Sequence, residues 1–441
     1  MVIKKMQKIT GNDLKKEFTL TDAKPGESLT LRATVHKFKP MGGFAFITLR
    51  TGRYVLQAVY SPDNCPDSVE EIKEGVFAEI SADVKEEPRA NYGIELSVRR
   101  IALIHKPAEL YPLHVSKRRL GCTLDINLDN RSVALRNPFE RAAFKFQEGV
   151  VSGFREFMLQ ENFTEIHTPK IVAQGAEGGA NIFSLDYFQK NAFLNQSPQF
   201  YKQAAVAFFD RVFEIAPVYR AEKHATSRHL NEYIGLDFEM GFIDGMEDVM
   251  NMEIAMLKHM MGYLKEHYAE EIRITGAQIP EVGDVPVIRF EEAVKLTHGE
   301  KGKNKFDLDP EDEVFLCKWA QENHGTEFIF VTHFPSSKPP FYAMNDKEDP
   351  RCALKFDLLF RGLEITTGGQ RIHDYDEQIE KIKAQHLNPD DFTYYLESHK
   401  YGLPPHGGLG IGLERLVMKL IGQPNIRQAS MFPRDINRLL P

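Results

Sequence analysis

Between residues 28 and 105 apolar and polar residues alternate in five short runs, a period of two that a helix cannot use. ESLTLRATVHKF, GGFAFITLR, YVLQAVYS, GVFAEISADV and YGIELSVRRIALI are separated by Gly, Pro, Asp and Asn, the residues that turn a chain between strands. Five such strands in roughly 80 residues suit a small closed barrel, and the five-stranded OB barrel is the commonest of that size.

Beyond this segment the texture changes. Residues 106–137 carry two prolines and the basic triplet Lys117, Arg118 and Arg119, and read as a linker. PFERAAFKFQEGVVSGFREFMLQENF then places Phe144, Phe146, Val150, Val151, Phe154, Phe157 and Met158 at helical spacing. Strand-like runs follow (VFEIAPVYRAE, YIGLDFEMGFI, EFIFVTHF, KFDLLFRGLEITTGG), alternating with helical stretches near 246–268, 290–297 and 376–385. The expected fold class is α+β: a barrel domain over 1–105, a linker over 106–137, and a body over 138–441 built on a mainly antiparallel sheet flanked by helices.

Composition excludes several classes. Of 441 residues 42% are hydrophobic and 27% charged, too apolar for disorder. No stretch approaches the roughly 18 uninterrupted apolar residues of a membrane span, and the start lacks a signal peptide's apolar segment. Cys65, Cys122, Cys317 and Cys352 are scattered, without metal or disulfide spacing. The expectation is a cytoplasmic protein with no membrane association. The net charge of −8 hides a split: 20 Lys+Arg against 15 Asp+Glu through residue 120, and 35 against 48 thereafter. A basic module on an acidic body suits a polyanion partner, though an excess of this size also arises by chance.

Four constellations carry chemistry. HGGLGIGLERLVMKLIG has glycines at 407, 408, 410 and 412 before a helix with Leu413, Leu416, Val417, Leu420 and Ile421 on one face. Such glycines let a backbone approach a nucleotide at a helix N-terminus, and Arg415 lies off the apolar stripe. A plain tight turn is the commoner meaning of a Gly-rich run; PPHGG reads as no strand, and neither a dinucleotide fingerprint nor a P-loop is present. VYRAEKHATSRHLNEY sets Arg220 and Glu222 on one strand face and Arg228, His229, Glu232 and Tyr233 on the return, a candidate polyphosphate clamp or else a solvated hairpin. FDLLFRGLEITTGGQRIHDYD carries Asp357, Glu364 and Arg371, carboxylates suited to Mg²⁺ beside phosphates. FLNQSPQFYKQ clusters Gln196, Ser197, Gln199 and Lys202.

Together, FTEIHTPKI, VYRAE…RHLNEY and GLGIGLER resemble motifs 1, 2 and 3 of the class II aminoacyl-tRNA synthetases. An OB barrel placed before that body resembles the subclass for Asp, Asn and Lys. SPQFYKQ, RGLEITTGGQRIHDYD and YGLPPHGGLGIGLERLVM resemble the aspartyl enzymes, of compact archaeal and eukaryotic-like type. The resemblance covers residues 25 to 441 and implies ATP-dependent formation of aspartyl-adenylate, then transfer of aspartate to the 3′ end of tRNA(Asp). It assigns catalysis to Arg220 and Arg415, and ATP binding to these with Glu222, Arg228, His229, Leu230, Tyr233, Glu364 and Gly412. Tyr233 stacks on adenine, and Asp357, Glu364 and Thr367 hold Mg²⁺. Glu177, Gln199, Lys202, Thr367 and Arg371 take L-aspartate, with Lys202 and Arg371 both on its side-chain carboxylate. Asparagine would leave a buried cation unpaired, at a cost of about 3–5 kcal/mol. Arg371→Leu is expected to abolish activation while leaving the fold intact. Ala176 stands where relatives often carry Ser.

In the barrel the resemblance assigns the anticodon to His36, Lys39, Phe46 and Gln57, with Phe46 stacking and Gln57 bonding a base edge. Phe46 in the barrel core and Gln57 as a solvated residue are the bland alternatives. A His at position 36 is associated in relatives with relaxed reading, so that tRNA(Asn) is charged as well; strict tRNA(Asp) specificity stays open. So does a tRNA-independent paralogue of the same fold, although an anticodon reader would be wasted there. A non-enzymatic RNA-binding protein would have lost Arg220, Arg371 and Arg415. A homodimer through motif 1 is implied by the resemblance alone.

Overall fold

The computed structural model describes residues 16–175, 181–223, 225–299 and 306–440. The chain forms two compact units, Met1–Arg141 and Ala142–Pro441.

In the first unit β1 (Ser28–Pro40), β2 (Ala45–Thr51), β3 (Tyr54–Tyr60), β4 (Phe77–Glu86) and β5 (Ile94–His105) close into a barrel in the order β1-β2-β3-β5-β4. Alternation does what the sequence promises: Ala45, Ile47 and Leu49 of β2 face inward with Leu56 and Ala58 of β3, fully or nearly fully buried. Phe46 is therefore on the outer face and not in the core. Lys39 is its direct partner on β1, and Thr48 pairs with Gln57, so Lys39, Phe46 and Gln57 share one surface. Phe44 packs edge-on against Phe46 at 5.4 Å, and Gln57 donates to Glu95 Oε2 at 2.6 Å. Residues 106–137 lie within the first unit and carry a small apolar cluster, Leu113, Val115 and Ala134.

His36 sits at an irregularity in β1. The β1–β2 register shifts between Val35 and Lys37, which makes His36 the extra residue of a β-bulge. The residue is covered, only 5% exposed, with the Arg50, Arg141 and Lys37 charges nearby. Burial, reinforced by Arg50, Arg141 and Lys37, lowers its pKa to about 4.

The second unit is built on an eight-stranded sheet. Its strands are β6 (Thr164–Glu165), β10 (Arg211–Tyr219), β11 (Glu232–Gly241), β12 (Val287–Arg289), β13 (Phe328–Thr332), β14 (Lys355–Phe360), β15 (Glu364–Gln370) and β16 (His406–Gly412). The order is β12-β13-β14-β15-β16-β11-β10-β6, antiparallel except for the outer pairs β12–β13 and β10–β6. A small sheet of β7 (Ile171–Val172), β8 (Ser184–Tyr187) and β9 (Lys190–Leu194) lies outside it. The helices Pro138–Gln160 and Met246–His267 supply Phe146, Val150, Phe154, Met256, Leu257 and Met260 to the main core, where they join Phe213, Phe238 and Leu409 from the strands. Helix Leu413–Ile421 adds Leu416, Val417 and Leu420 to that core.

One sequence expectation fails here. The glycine-rich run His406–Gly412 is not a turn but the central strand β16, paired with β11 on one side and β15 on the other. A glycine strand normally pays in backbone entropy and lost packing. At Gly408 the reason is visible: an added Cβ would stand 2.2 Å from Phe238 O and 2.3 Å from Glu239 Oε2. Among the described residues no helix is long and apolar enough to cross a membrane.

Because His36 is held neutral, the unfolded chain binds a proton more readily than the folded one between pH 6.5 and 4. Its share of stability is complete above pH 6.5 and is lost as pH falls towards 4, at most about 3 kcal/mol. Thermal melting of His36→Gln across that window should show a shallower loss of stability than the wild-type chain; parallel curves would refute this.

Candidate active site

Two connected cavities open on the face of β10, β11, β15 and β16. The inner one, about 100 Å³, is lined by Gln196, Gln199, Lys202, Asp237 and Arg371 among others. The outer chamber, about 670 Å³, is lined by Arg220, Glu222, Arg228, His229, Leu230, Tyr233, Glu364, Thr367, Gly412 and Arg415 among others. Arg220, Tyr233, Thr367, Arg371 and Gly412 line both. Thirteen of the sequence-assigned residues thus meet at one place, from segments more than 200 positions apart. Glu177 lies outside the described residues.

At the inner cavity four buried charges meet. Helix Gln199–Phe209 carries Lys202, whose Nζ lies 3.0 Å from Asp237 Oδ1 and 3.3 Å from Glu239 Oε2, and donates to Leu409 O at 2.9 Å. Arg371, just past β15, donates from Nε to Glu239 Oε1 at 2.9 Å and from Nη2 to Gly408 O at 2.8 Å. Its guanidinium carbon stands 5.4 Å from the Tyr342 ring centre. Gln199 Nε2 reaches Glu239 Oε2 at 3.4 Å. Burial pushes the Asp237 carboxyl up, and Lys202 offsets this only in part. Burial acts on Glu239 too, but Arg371 and Lys202 outweigh it and hold that carboxyl below the usual range.

Asp237 and Glu239 were not singled out in the sequence, where they look like alternating strand residues of YIGLDFEMGF. The structure makes them the counter-charges of both predicted cations. This qualifies two expectations. The Lys202 ammonium is already held by Asp237 and a carbonyl, so Arg371, through the open end of its fork, is the cation better placed for a new carboxylate. Arg371→Leu would also remove one of the two cations beside Glu239, leaving Lys202 at 3.3 Å, so a loss of stability is expected alongside any loss of activity.

In the outer chamber the strand β10 ends at Tyr219, so Arg220 and Glu222 follow it in a loop and do not share a strand face. Asn231 fixes that loop: its Nδ2 donates to Arg220 O at 2.7 Å and Glu222 O at 3.0 Å. Arg228 is paired with Glu313 of helix Pro310–His324, and the same carboxylate accepts from Glu364 N at 2.9 Å. Arg415 donates to Glu364 O at 3.0 Å and lies 3.3 Å from Glu364 Oε1. His229 is bonded to Thr226 at 2.6 Å through Nδ1. Sequence reading missed Asn231 and Glu313; the first sits inside a quoted motif, while the second carries no local signal.

Thr367 Oγ1 lies 2.8 Å from Asp357 Oδ1 and 3.1 Å from Glu364 Oε1, so two carboxylates and a hydroxyl converge. Hard oxygen donors of this kind fit Mg²⁺. They are not equivalent, however. Glu364 and Thr367 line the chamber, whereas Asp357 is buried behind them with Lys355 Nζ 2.7 Å from its Oδ2. Burial, with Glu364 adding to it, raises Asp357 to about 7 despite Lys355. Glu364 is thus the carboxylate that faces the chamber, and Asp357 lies behind it.

The description tRNA synthetases class II (D, K and N) matches residues 123–436, and that of the OB-fold nucleic acid binding domain matches residues 29–104. The chain belongs to the class II aminoacyl-tRNA synthetases, in the family of aspartate–tRNA ligases. It is 44% identical over 437 residues to the aspartate–tRNA(Asp/Asn) ligase of Deinococcus radiodurans, covering 96% of this chain and 98% of that one. It is 37% identical over 431 residues to the aspartate–tRNA(Asp) ligase of Pyrococcus furiosus, with 96% and 98% covered. Among solved structures, asparaginyl-tRNA synthetase from Pyrococcus horikoshii complexed with asparaginyl-adenylate superposes with a TM-score of 0.88 at 28% identity, over 97% of this chain and 100% of that one. The synthetase is thus an AMP- and pyrophosphate-forming ligase by family.

In this synthetase, Arg371→Leu should abolish aspartate-dependent pyrophosphate exchange and lower the melting temperature. Adding Glu239→Gln removes the carboxylate that lost one of its two cations and should restore part of the melting temperature without restoring exchange. Recovery of both together would mean that Arg371 acts only through stability.

Proposed function

We propose that this ligase activates L-aspartate with ATP to aspartyl-adenylate and pyrophosphate, and then transfers aspartate to the 3′ end of tRNA(Asp). The observation that carries the amino-acid choice is the pair of buried cations, Lys202 and Arg371, in a cavity too small for more than a short side chain. Arg371 takes the side-chain carboxylate of aspartate through its free fork. Lys202 supports that site with Asp237, and Gln199, Thr367 and Glu177 address the amino-acid end.

Adenylation needs no side-chain nucleophile, because the substrate carboxylate itself attacks the α-phosphate. What it needs is in-line placement and neutralisation of charge on the phosphates. Arg220 lines both cavities and is the residue for the α-phosphate at their junction. Arg415 serves the γ-phosphate end and Arg228 with His229 the rest of the triphosphate. Tyr233 offers its face to adenine, beside Leu230, Glu222 and Gly412. Mg²⁺ bound at Glu364 and Thr367, with Asp357 behind, would supply charge neutralisation between phosphates. Glu364 also holds Arg415, so the acid that meets the metal orients the arginine that meets the phosphate.

The barrel over 1–105 serves as the anticodon reader, with 106–137 as connection and 138–441 as catalytic body. Lys39, Phe46 and Gln57 share its outer face, where Phe46 stacks on a base and Gln57, steadied by Glu95, reads an edge. Charging of tRNA(Asn) as a second acceptor is favoured by the Deinococcus radiodurans and Thermus thermophilus relatives, both aspartate–tRNA(Asp/Asn) ligases, at 44% and 42% identity. His36 lies at the bulge of β1, on the strand that carries Lys39. A homodimer is supported by the motif 1 helix Pro138–Gln160, at whose end Leu159 is exposed, and by Phe242, exposed on the same cavity wall as Phe157. The work belongs in the cytoplasm, where ATP and tRNA are, and the four thiols stay unpaired there.

Charging of separate tRNA(Asp) and tRNA(Asn) transcripts with labelled aspartate tests the reading. Aspartylation of both is expected; tRNA(Asp) alone would make the enzyme strict, and neither would remove the tRNA half of the proposal. Phe46→Ala should weaken tRNA use by about 1–3 kcal/mol while leaving tRNA-free pyrophosphate exchange unchanged.

A further inference from the structure

Glu414 is almost fully buried, 4% exposed, in the first turn of helix Leu413–Ile421, yet it points to no cation. Its two oxygens both accept from Ile234 N, at 3.2 and 3.1 Å. The strand pairing explains why this amide needs it. β11 and β16 run together only as far as Gly235 opposite Gly412, after which β16 turns into the helix. A side chain thus replaces the ladder partner that the turn takes away.

The two ends of this bond are placed with consequence. Ile234 follows Tyr233 directly, and Glu414 directly precedes Arg415; Tyr233 and Arg415 both line the outer chamber. We infer that Glu414 is a positioning residue for ATP, locking the strand that presents Tyr233 to the helix end that presents Arg415, so that adenine and the phosphate end meet one rigid frame. Arg415 is anchored on its far side by Glu364 O at 3.0 Å, which leaves Glu414 to set its distance from Tyr233. Burial, with Glu232 adding to it, pushes the Glu414 carboxyl up to about 8 against the two backbone N–H groups that favour its charge. The role therefore asks for an acceptor of the right reach and not for a charge, and glutamine meets that requirement where aspartate, one methylene shorter, does not.

The inference rests on the assignment of the outer chamber to ATP, and the experiment separates the two. Michaelis constants for ATP and for aspartate are measured by pyrophosphate exchange in the full chain, with melting temperatures, for Glu414→Asp, Glu414→Gln and Arg415→Ala. Glu414→Asp should raise KM for ATP about fivefold to tenfold, the size of one lost hydrogen bond, and leave KM for aspartate within about twofold. Glu414→Gln should stay within about twofold of wild type for both. A purely structural brace would instead lower the melting temperature or shift both constants alike, and that result overturns the inference. So does Glu414→Gln failing as badly as Glu414→Asp. If Arg415→Ala leaves KM for ATP unmoved, the chamber assignment falls and the inference with it; if Arg415→Ala raises it while Glu414→Asp does not, only the positioning role falls.

Discussion

Two cations and two carboxylates buried together at the foot of the active site are the constraint around which the second unit is built. An isolated buried charge costs far more than a domain can spare, so Lys202, Asp237, Glu239 and Arg371 are tolerable only as a set. They come from a helix, from β11 and from the end of β15, and the carbonyls of Gly408 and Leu409 on β16 accept from Arg371 and Lys202. The set therefore decides which strands must be neighbours. It also decides that β16 carry glycine where Glu239 passes, since a side chain at 408 would occupy the space of that carboxylate. The weak strand former is retained because the charge beside it has nowhere else to go.

The outer chamber follows the same logic at lower density. Arg228, Glu313, Glu364 and Arg415 form a chain in which each cation already has an anionic or carbonyl partner. Phosphates entering such a site find donors whose directions are set beforehand, so little reorganisation remains for the reaction step. Glu313 belongs to helix Pro310–His324, far in sequence from either arginine, and its burial lifts its carboxyl while Arg228 draws it back down. The helix thereby joins the active site without contacting substrate.

What the sequence made legible was what is local. Alternation found all five barrel strands, and the arginines, Tyr233 and Glu364 stood out because each lies in a short motif whose neighbours share its task. The face that His36 takes was not legible, because a one-residue bulge breaks the alternation that sequence reading relies on and nothing in VHKF marks it. The strand β16 was misread because propensity counts the missing side chains of glycine and cannot see Glu239 across the ladder. Asp237 and Glu239 passed as ordinary strand residues, since their partner Arg371 is 132 positions from Glu239. Long-range charge pairing leaves no periodic trace, and it is what completes this site.

That pairing also bears on how aspartate is told from asparagine. Were all four buried groups ionised, the cluster would be neutral, and a substrate carboxylate would enter as an unmatched fifth charge. The two carboxyls differ, however: Glu239 is held ionised by both cations, while burial raises Asp237 above its ordinary value. Lys202 and Arg371 therefore meet any entering group already paired with Asp237 and Glu239, and the balance at the foot of the site is set by four protein groups and not by a lysine and an arginine alone.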